Sequence, residues 1–236
     1  RQALLITATD TDPIVRNIAL QVLAANFPDD QDTHRAVLTA ATDTDTHLNV
    51  RSTALQVLGE RWPDDQNTRQ AVLTAATDTQ PIVRTTALRV LGERWPDDQN
   101  THRAVLTAAT DTDPIVRTTA LQVLGEQWPD DQNTRQALLT AATDTDLNVR
   151  TTALQVLAAD FPNVAWPVVC EYTKSDQPAD MRVSVIKLLA LLWPEESESV
   201  TLIRCMEQHD DESVRRTAGE ALALLEQRPG SAVSRA

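Results

Sequence analysis

The nonapeptide ERWPDDQNT stands at residues 60–68 and again, unchanged, at 93–101; at 126–134 it returns as EQWPDDQNT. This recurrence limits the fold more than any other feature of the chain. A segment repeated at a fixed period of this length is one supersecondary unit, and it buries its apolar face only against its neighbours. An aromatic–Pro step marks the register throughout: Phe27-Pro28, Trp62-Pro63, Trp95-Pro96, Trp128-Pro129, Phe161-Pro162 and Trp193-Pro194. The steps lie 35, 33, 33, 33 and 32 residues apart. Residues 62–94 and 95–127 differ at five of 33 positions: Arg69/His102, Gln70/Arg103, Gln80/Asp113, Arg89/Gln122 and Arg94/Gln127. All five are polar in both copies, which assigns the varying positions to the solvent side.

Each unit reads as two helices. In residues 62–95, Pro63 ends the preceding helix, since proline cannot continue one. Asp64 or Asp65 then caps a new helix by meeting its free N–H groups and positive end. Ala71, Val72, Leu73, Ala75 and Ala76 give that helix a broad apolar face. After the turn DTQP, Pro81 suits the first position of a second helix. There Val83, Ala87, Leu91 and Trp95 fall four residues apart on one stripe, widened by Leu88 and Val90. Gly59, Gly92 and Gly125 alternate at one position with Ala24, Ala158 and Ala190, which predicts close helix–helix approach.

An arginine follows the second helix through all units: Arg16, Arg51, Arg84, Arg117, Arg150, Arg182 and Arg215. Asp10, Asp78, Asp111, Asp144 and Asp176 precede their arginines by six residues, and Asp43 fits once two extra residues in TDTDTHLNVR are allowed for. Two short helices, an Asp in the turn between them and the pattern VRxxALxxL resemble HEAT repeats over residues 1–226. Ankyrin's TPLH turn and the tetratricopeptide Trp, Gly and Tyr pattern are missing, and there is no room for an armadillo third helix. The resemblance implies an all-α, right-handed α-α superhelix, a solenoid of about seven two-helix repeats with second helices on the concave side. The units would be about 1–27, 28–62, 63–95, 96–128, 129–161, 162–193 and 194–228, one solenoid over 1–228, with 229–236 a disordered tail. It also implies that Asp10, Arg16, Arg51, Asp78, Arg84, Asp111, Arg117, Asp144 and Arg150 form a structural ladder between turns and neighbouring units. More narrowly, the WPDD step resembles the C-terminal HEAT arrays of bacterial NACHT-type (STAND) NTPases, a group that includes antiphage defence sensors. No phosphate-binding G-x-x-x-x-G-K-[ST] pattern accompanies it.

The formal net charge is −13, and Lys174 and Lys187 are the only lysines. That balance speaks against nucleic acid or an anionic membrane as the main partner, since both need clustered Lys and Arg. No apolar run is long enough to span a bilayer. Cys170 and Cys205 form no disulfide framework, and a reducing, cytoplasmic setting is expected. The chain begins with Arg1 inside a repeat, so it reads as part of a longer chain. Leu189, Leu191 and Leu192 make one late helix greasier, as expected of a helix covered on more sides. Arg216, Glu220, Glu226 and Arg228 make the last more polar, as suits a terminal repeat.

Chemistry-bearing residues find ordinary explanations. The DTD turns at 10–12, 43–45, 111–113 and 144–146 lack the Gly and Glu of a calcium loop; helix caps and the ladder account for them. His34 and His102 alternate with Arg69 and Arg135, which reads as an exposed helix face. His47 and His209 complete the histidines, with no spacing for zinc. The cysteines lack a histidine to activate them and read as half-buried thiols. Trp62, Trp95, Trp128, Trp166 and Trp193 read as packing between units rather than a row for stacking a ligand. No catalytic residue, cofactor or metal is assigned.

One row remains: Gln21, Gln56, Arg89, Gln122, Gln155, Lys187 and Glu220, five residues after each arginine and beside Thr85, Thr118 and Thr151, expected to track the concave face. Long polar side chains at a regular rise suit a protein or peptide partner; a solvated face without one is the alternative. A surface repeated three times is poorly suited to the asymmetric cluster of an active site. The expectation is a non-enzymatic protein-interaction scaffold, in its narrower form the ligand-sensing array of a NACHT-type NTPase. The alternatives are a bilin lyase-like or DNA glycosylase-like HEAT protein, or a passive spacer.

Overall fold

The computed structural model describes residues 1–174 and 178–227. Asp176 and the expected tail at 229–236, with Arg228, lie outside them. The described residues form α1 (Gln2–Thr7), α2 (Pro13–Asn26), α3 (Gln31–Thr42), α4 (Leu48–Arg61), α5 (Gln66–Ala75), α6 (Pro81–Arg94) and α7 (Gln99–Ala108). They continue with α8 (Pro114–Gln127), α9 (Gln132–Ala141), α10 (Leu147–Asp160), α11 (Pro162–Glu171), α12 (Ala179–Leu192), α13 (Ser197–Met206) and α14 (Glu212–Glu226). No strand occurs among them. The fold class is all-α, built of two-helix repeats of the solenoid type. None of these helices is long and apolar enough to cross a membrane.

The repeat's punctuation sets the helix ends. Asp65 Oδ1 accepts the Thr68 N–H at 2.8 Å at the start of α5, and Asp113 Oδ1 accepts the Ile115 N–H at 2.8 Å at the start of α8. Such caps contribute about 1 kcal/mol each. Pro13, Pro81 and Pro114 occupy first helical positions, where the missing N–H costs nothing. Each second helix of the first six repeats stops at the aromatic residue before proline, because Pro pushes its predecessor out of helical geometry. Trp95, for instance, has φ −134° and ψ 52°.

The chain divides into two compact units, Arg1–Pro129 and Asp130–Ala236. In the first, α2, α4, α6 and α8 pack extensively on one another, whereas α1, α3, α5 and α7 touch at few residues. Close packing in one layer and sparse packing in the other is the geometry of a stack curved towards its second helices. In the second unit, α12 packs on both α10 and α14.

The predicted stripe is buried in α6 and α8 up to its last member, the aromatic residue, which is only half-buried at Trp95 and Trp128. Val83, Ala87, Leu88 and Leu91 are fully buried in α6, as are Val116, Ala120, Leu121 and Leu124 in α8. A buried leucine contributes roughly 1.5–3 kcal/mol relative to an exposed one. The Gly/Ala position is as crowded as expected: a Cβ on Gly59 would lie 2.5 Å from Val90 Cγ1, and one on Gly92 2.5 Å from Val123 Cγ1. One expectation fails. In α12, Leu189 is buried and Leu192 half-buried, but Leu191 is 65% exposed. The helix is not covered on more sides; it carries a leucine where α4, α6 and α8 carry solvent-facing Glu60, Glu93 and Glu126, and α2 and α10 carry Ala25 and Ala159. Arg216, Glu220 and Glu226 are exposed on α14, alongside an exposed Leu224.

Candidate partner-binding surface

Beneath the surface, Arg84 ties its repeat both to itself and to the next. Arg84 Nη1 donates to its own turn, to the Asp78 carbonyl at 2.7 Å and the Thr79 carbonyl at 3.2 Å. Its Nη2 donates to Asp111 Oδ1 of the following repeat at 2.7 Å. Arg51 instead grips both oxygens of Asp78 in the following repeat, Nη1 to Oδ1 at 3.2 Å and Nη2 to Oδ2. Arg117 and Arg150 make the same carbonyl contacts in their own turns, to Asp111 and Thr112 and to Asp144 and Thr145.

Where two residues are inserted, Arg16 Nη2 donates instead to Thr46 Oγ1 at 3.1 Å, and Thr46 donates to Asp43 Oδ2 at 2.9 Å. Asp10 keeps a local task, accepting the Asp12 N–H at 2.8 Å. Burial pushes the Asp78 carboxyl up, but the Arg51 hydrogen bond, the Gln80 N–H and the charges of Arg51 and Arg84 outweigh it and hold it below the usual range. Asp111 is held low by the same balance, with Arg84 and the Asp113 N–H opposing burial.

The aromatic step forms a second ladder that the sequence did not reveal. Trp62, Trp95 and Trp128 donate their indole N–H to the carbonyls of Pro28, Pro63 and Pro96, one repeat earlier, at 2.8, 2.9 and 3.1 Å. Trp166 and Trp193 meet edge-on, centroids 5.3 Å apart.

The reading of His34 and His102 as an exposed face is corrected. His34 is half-buried, its ring 4.8 Å from that of Trp62, with Nε2 3.1 Å from Thr68 Oγ1 and 3.7 Å from Asp65 Oδ1. His102 lies 4.6 Å from Trp128. Arg69 at the same position reaches Asp98 at 3.4 Å, so the exchange of His for Arg reflects a shared acidic neighbour rather than exposure. Cys205 is exposed, not half-buried; Cys170 is intermediate, and burial followed by Glu198 raises its thiol.

The polar row lies on the solvent-facing side of the second helices. Gln21, Gln56, Arg89, Gln122, Gln155, Lys187 and Glu220 are all exposed. Thr85 is buried, with Oγ1 donating to the Ile82 carbonyl at 3.0 Å, and Thr118 and Thr151 are half-buried. Arg89 and Gln122 flank a cleft of about 190 Å³ between α6 and α8, beside Gly92, Glu93 and Glu126.

Two further sets share this face. Ile14, Ile82 and Ile115 stand seven residues before the row, and Glu60, Glu93 and Glu126 four residues after it; all are exposed. Spacings of seven and eleven residues return to one side of an α-helix. The signal for the isoleucines was the apolar letter beside the buried stripe in PIVR, which nothing in the stripe required.

A family model described as HEAT repeats matches residues 2–92, 36–125 and 103–182. The chain belongs to the HEAT-repeat family. Among solved structures, this HEAT chain is similar to the Kap95:Nup1 complex at 18% identity and TM-score 0.61, covering 96% of this chain and 35% of that one. It is similar to the Pds5–Scc1 complex at 14% and 0.62, covering 94% and 41%. For an importin beta structure the values are 18% and 0.54, covering 94% and 33%. The HEAT chain thus spans roughly a third to two-fifths of these larger chains, and the likeness is one of fold. No curated protein matches it.

Proposed function

We propose that this HEAT array is a non-enzymatic interaction scaffold that receives a protein or peptide on its exposed polar row, Gln21, Gln56, Arg89 and Gln122 in the first unit and Gln155 and Lys187 in the second. The observation that carries the reading is one long polar side chain per repeat, exposed on the same helix face in all seven repeats. A surface that recurs from helix to helix offers equivalent contacts to an extended partner, whereas a reacting centre needs a single asymmetric cluster. By analogy, two of the similar structures are complexes of such an array with another protein, Nup1 and Scc1.

The test is capture of binding proteins on the immobilised chain, with identification by mass spectrometry. A partner held by the wild type and lost at least tenfold by the triple variant Gln56→Ala, Arg89→Ala, Gln122→Ala is the expected result. Equal retention by both chains sinks the reading.

The narrower placement, a sensor array of a NACHT-type NTPase in the cytoplasm, is supported by the WPDD step alone. That step's Trp and second Asp make packing and capping contacts, which any such array requires. A Walker motif in the coding sequence upstream of Arg1 is the observation it calls for; repeats running back to a start codon would remove it.

A further inference from the structure

The row's neighbouring position changes chemistry along the chain. Four residues after the polar row stand Glu60, Glu93 and Glu126 in α4, α6 and α8, but Leu191 and Leu224 in α12 and α14. Both leucines are exposed, 65% and 64%. With Ala190 and Ala221 they line a groove of about 350 Å³ between α12 and α14, and Lys187 and Glu220 line it from α12 and α14 respectively. The two walls therefore share an apolar floor and carry opposite charges.

We propose that this groove docks one amphipathic helix of a partner protein, which inserts two or three aliphatic side chains and carries an acidic flank towards Lys187 and a basic flank towards Glu220. The proposal rests on the row being a partner surface and names the partner's class. Charge complementarity sets the occupant's polarity. Its length follows from the groove, which runs from Thr217 to Leu225 along α14; at about 1.5 Å per residue that is roughly 12 Å, two helical turns. A helix presents apolar side chains at i, i+4 and i+7 over that distance. It also satisfies its own backbone, whereas an extended strand would lay unpaired N–H and C=O groups over leucines with no sheet edge to receive them. A second copy of this chain is a poorer fit, because a stable dimer buries about 800 Å² on each partner, far more than two turns of two helices offer.

The probe is a fluorescein-labelled 14-residue helical peptide with one leucine stripe, glutamates along one flank and lysines along the other, titrated into the full chain by anisotropy. A peptide of the same composition with its leucines scattered is the control. The stripe peptide is expected to bind at least tenfold more tightly than the control. Leu224→Glu and, independently, Leu191→Glu should each weaken it at least tenfold while circular dichroism and thermal unfolding stay unchanged. Each installs at an exposed site the residue that α6 carries there. Lys187→Glu should weaken the peptide and be rescued by one with lysines on both flanks. Equal binding of the control, or indifference to both leucine variants, overturns the proposal. So does a wild-type dimer that Leu224→Glu converts to monomer in sedimentation equilibrium, which would make a second copy the occupant. A captured partner lost on changing Gln56, Arg89 and Gln122 but kept by Leu224→Glu leaves the row standing and removes the groove; one kept by both sets of variants removes the row as well.

Discussion

The indole N–H of Trp95 donates to the carbonyl of Pro63, one repeat earlier, at 2.9 Å. The contact gives the aromatic–Pro step two tasks. Proline stops one helix, and its carbonyl receives the ring at the end of the next. Removing the ring and removing the bond should therefore differ in cost. Trp95→Phe keeps the packing, as Phe27 and Phe161 do at this position, and should lose about 1 kcal/mol for the hydrogen bond. Trp95→Ala should lose roughly 3–5 kcal/mol. Urea unfolding measures both; a loss below about 1 kcal/mol for alanine would mean that the ring contributes no packing.

Gly92 sets two effects against each other. Alanine is better than glycine in a helix by about 0.8–1 kcal/mol, so propensity alone predicts stabilisation. A Cβ there would approach Val123 Cγ1 to 2.5 Å, and valine is stiff about its first side-chain torsion. Overpacking of this kind costs about 1–3 kcal/mol. Gly92→Ala should therefore destabilise despite its propensity. In a Val123→Ala background, where the clash is gone, the same change should stabilise. An unchanged sign in the two backgrounds would show that the helices separate freely.

The elements were legible in the sequence because proline, aspartate and the aromatic–Pro step each act within a few residues of where they stand. The partners of the ladder were less legible. Asp78 and Asp111 are equivalent letters one period apart, and only the fold shows that Arg84 takes backbone carbonyls from its own turn and the carboxylate from the next. The sequence misled at His34, where alternation with arginine was read as exposure; both residue types face the capping aspartate of the next repeat. It misled again at Leu191, since an apolar residue in a helix reads as buried until its neighbours are placed. The polar row was legible as a regular spacing, but its flanking isoleucines and glutamates acquire meaning only once they share its face.

Arg84 and Asp111 form a pair with little exposure on either side, 10% and 16%. Removing the arginine strands a carboxylate and two carbonyls, so Arg84→Ala should cost about 3–5 kcal/mol. Asp111→Asn should cost less, because an amide oxygen still accepts from the guanidinium. A double-mutant cycle on the two positions is expected to show a clear coupling. Additive losses would mean that Arg84 acts through its own turn alone.

The same pairs fix how stability responds to acid, and the sign follows from the direction of each shift. Asp78 and Asp111 titrate below their unfolded value of about 3.9 when folded. The unfolded chain then takes up protons first as pH falls, so the stabilisation is fully present above about pH 4 and is lost as pH drops through the folded values. The stability gap between the wild type and Asp111→Asn should close over that range. Asp160 has the opposite sign, since burial and the nearby charge of Asp130 raise it. Its ionised form costs stability at neutral pH, so Asp160→Asn should raise the urea midpoint at pH 7, and that gain should vanish in acid. Midpoints of the three chains measured from pH 7 down to pH 3 check both signs together. Parallel curves for the wild type and Asp111→Asn would show that Arg84 does not discriminate between the charged and neutral acid.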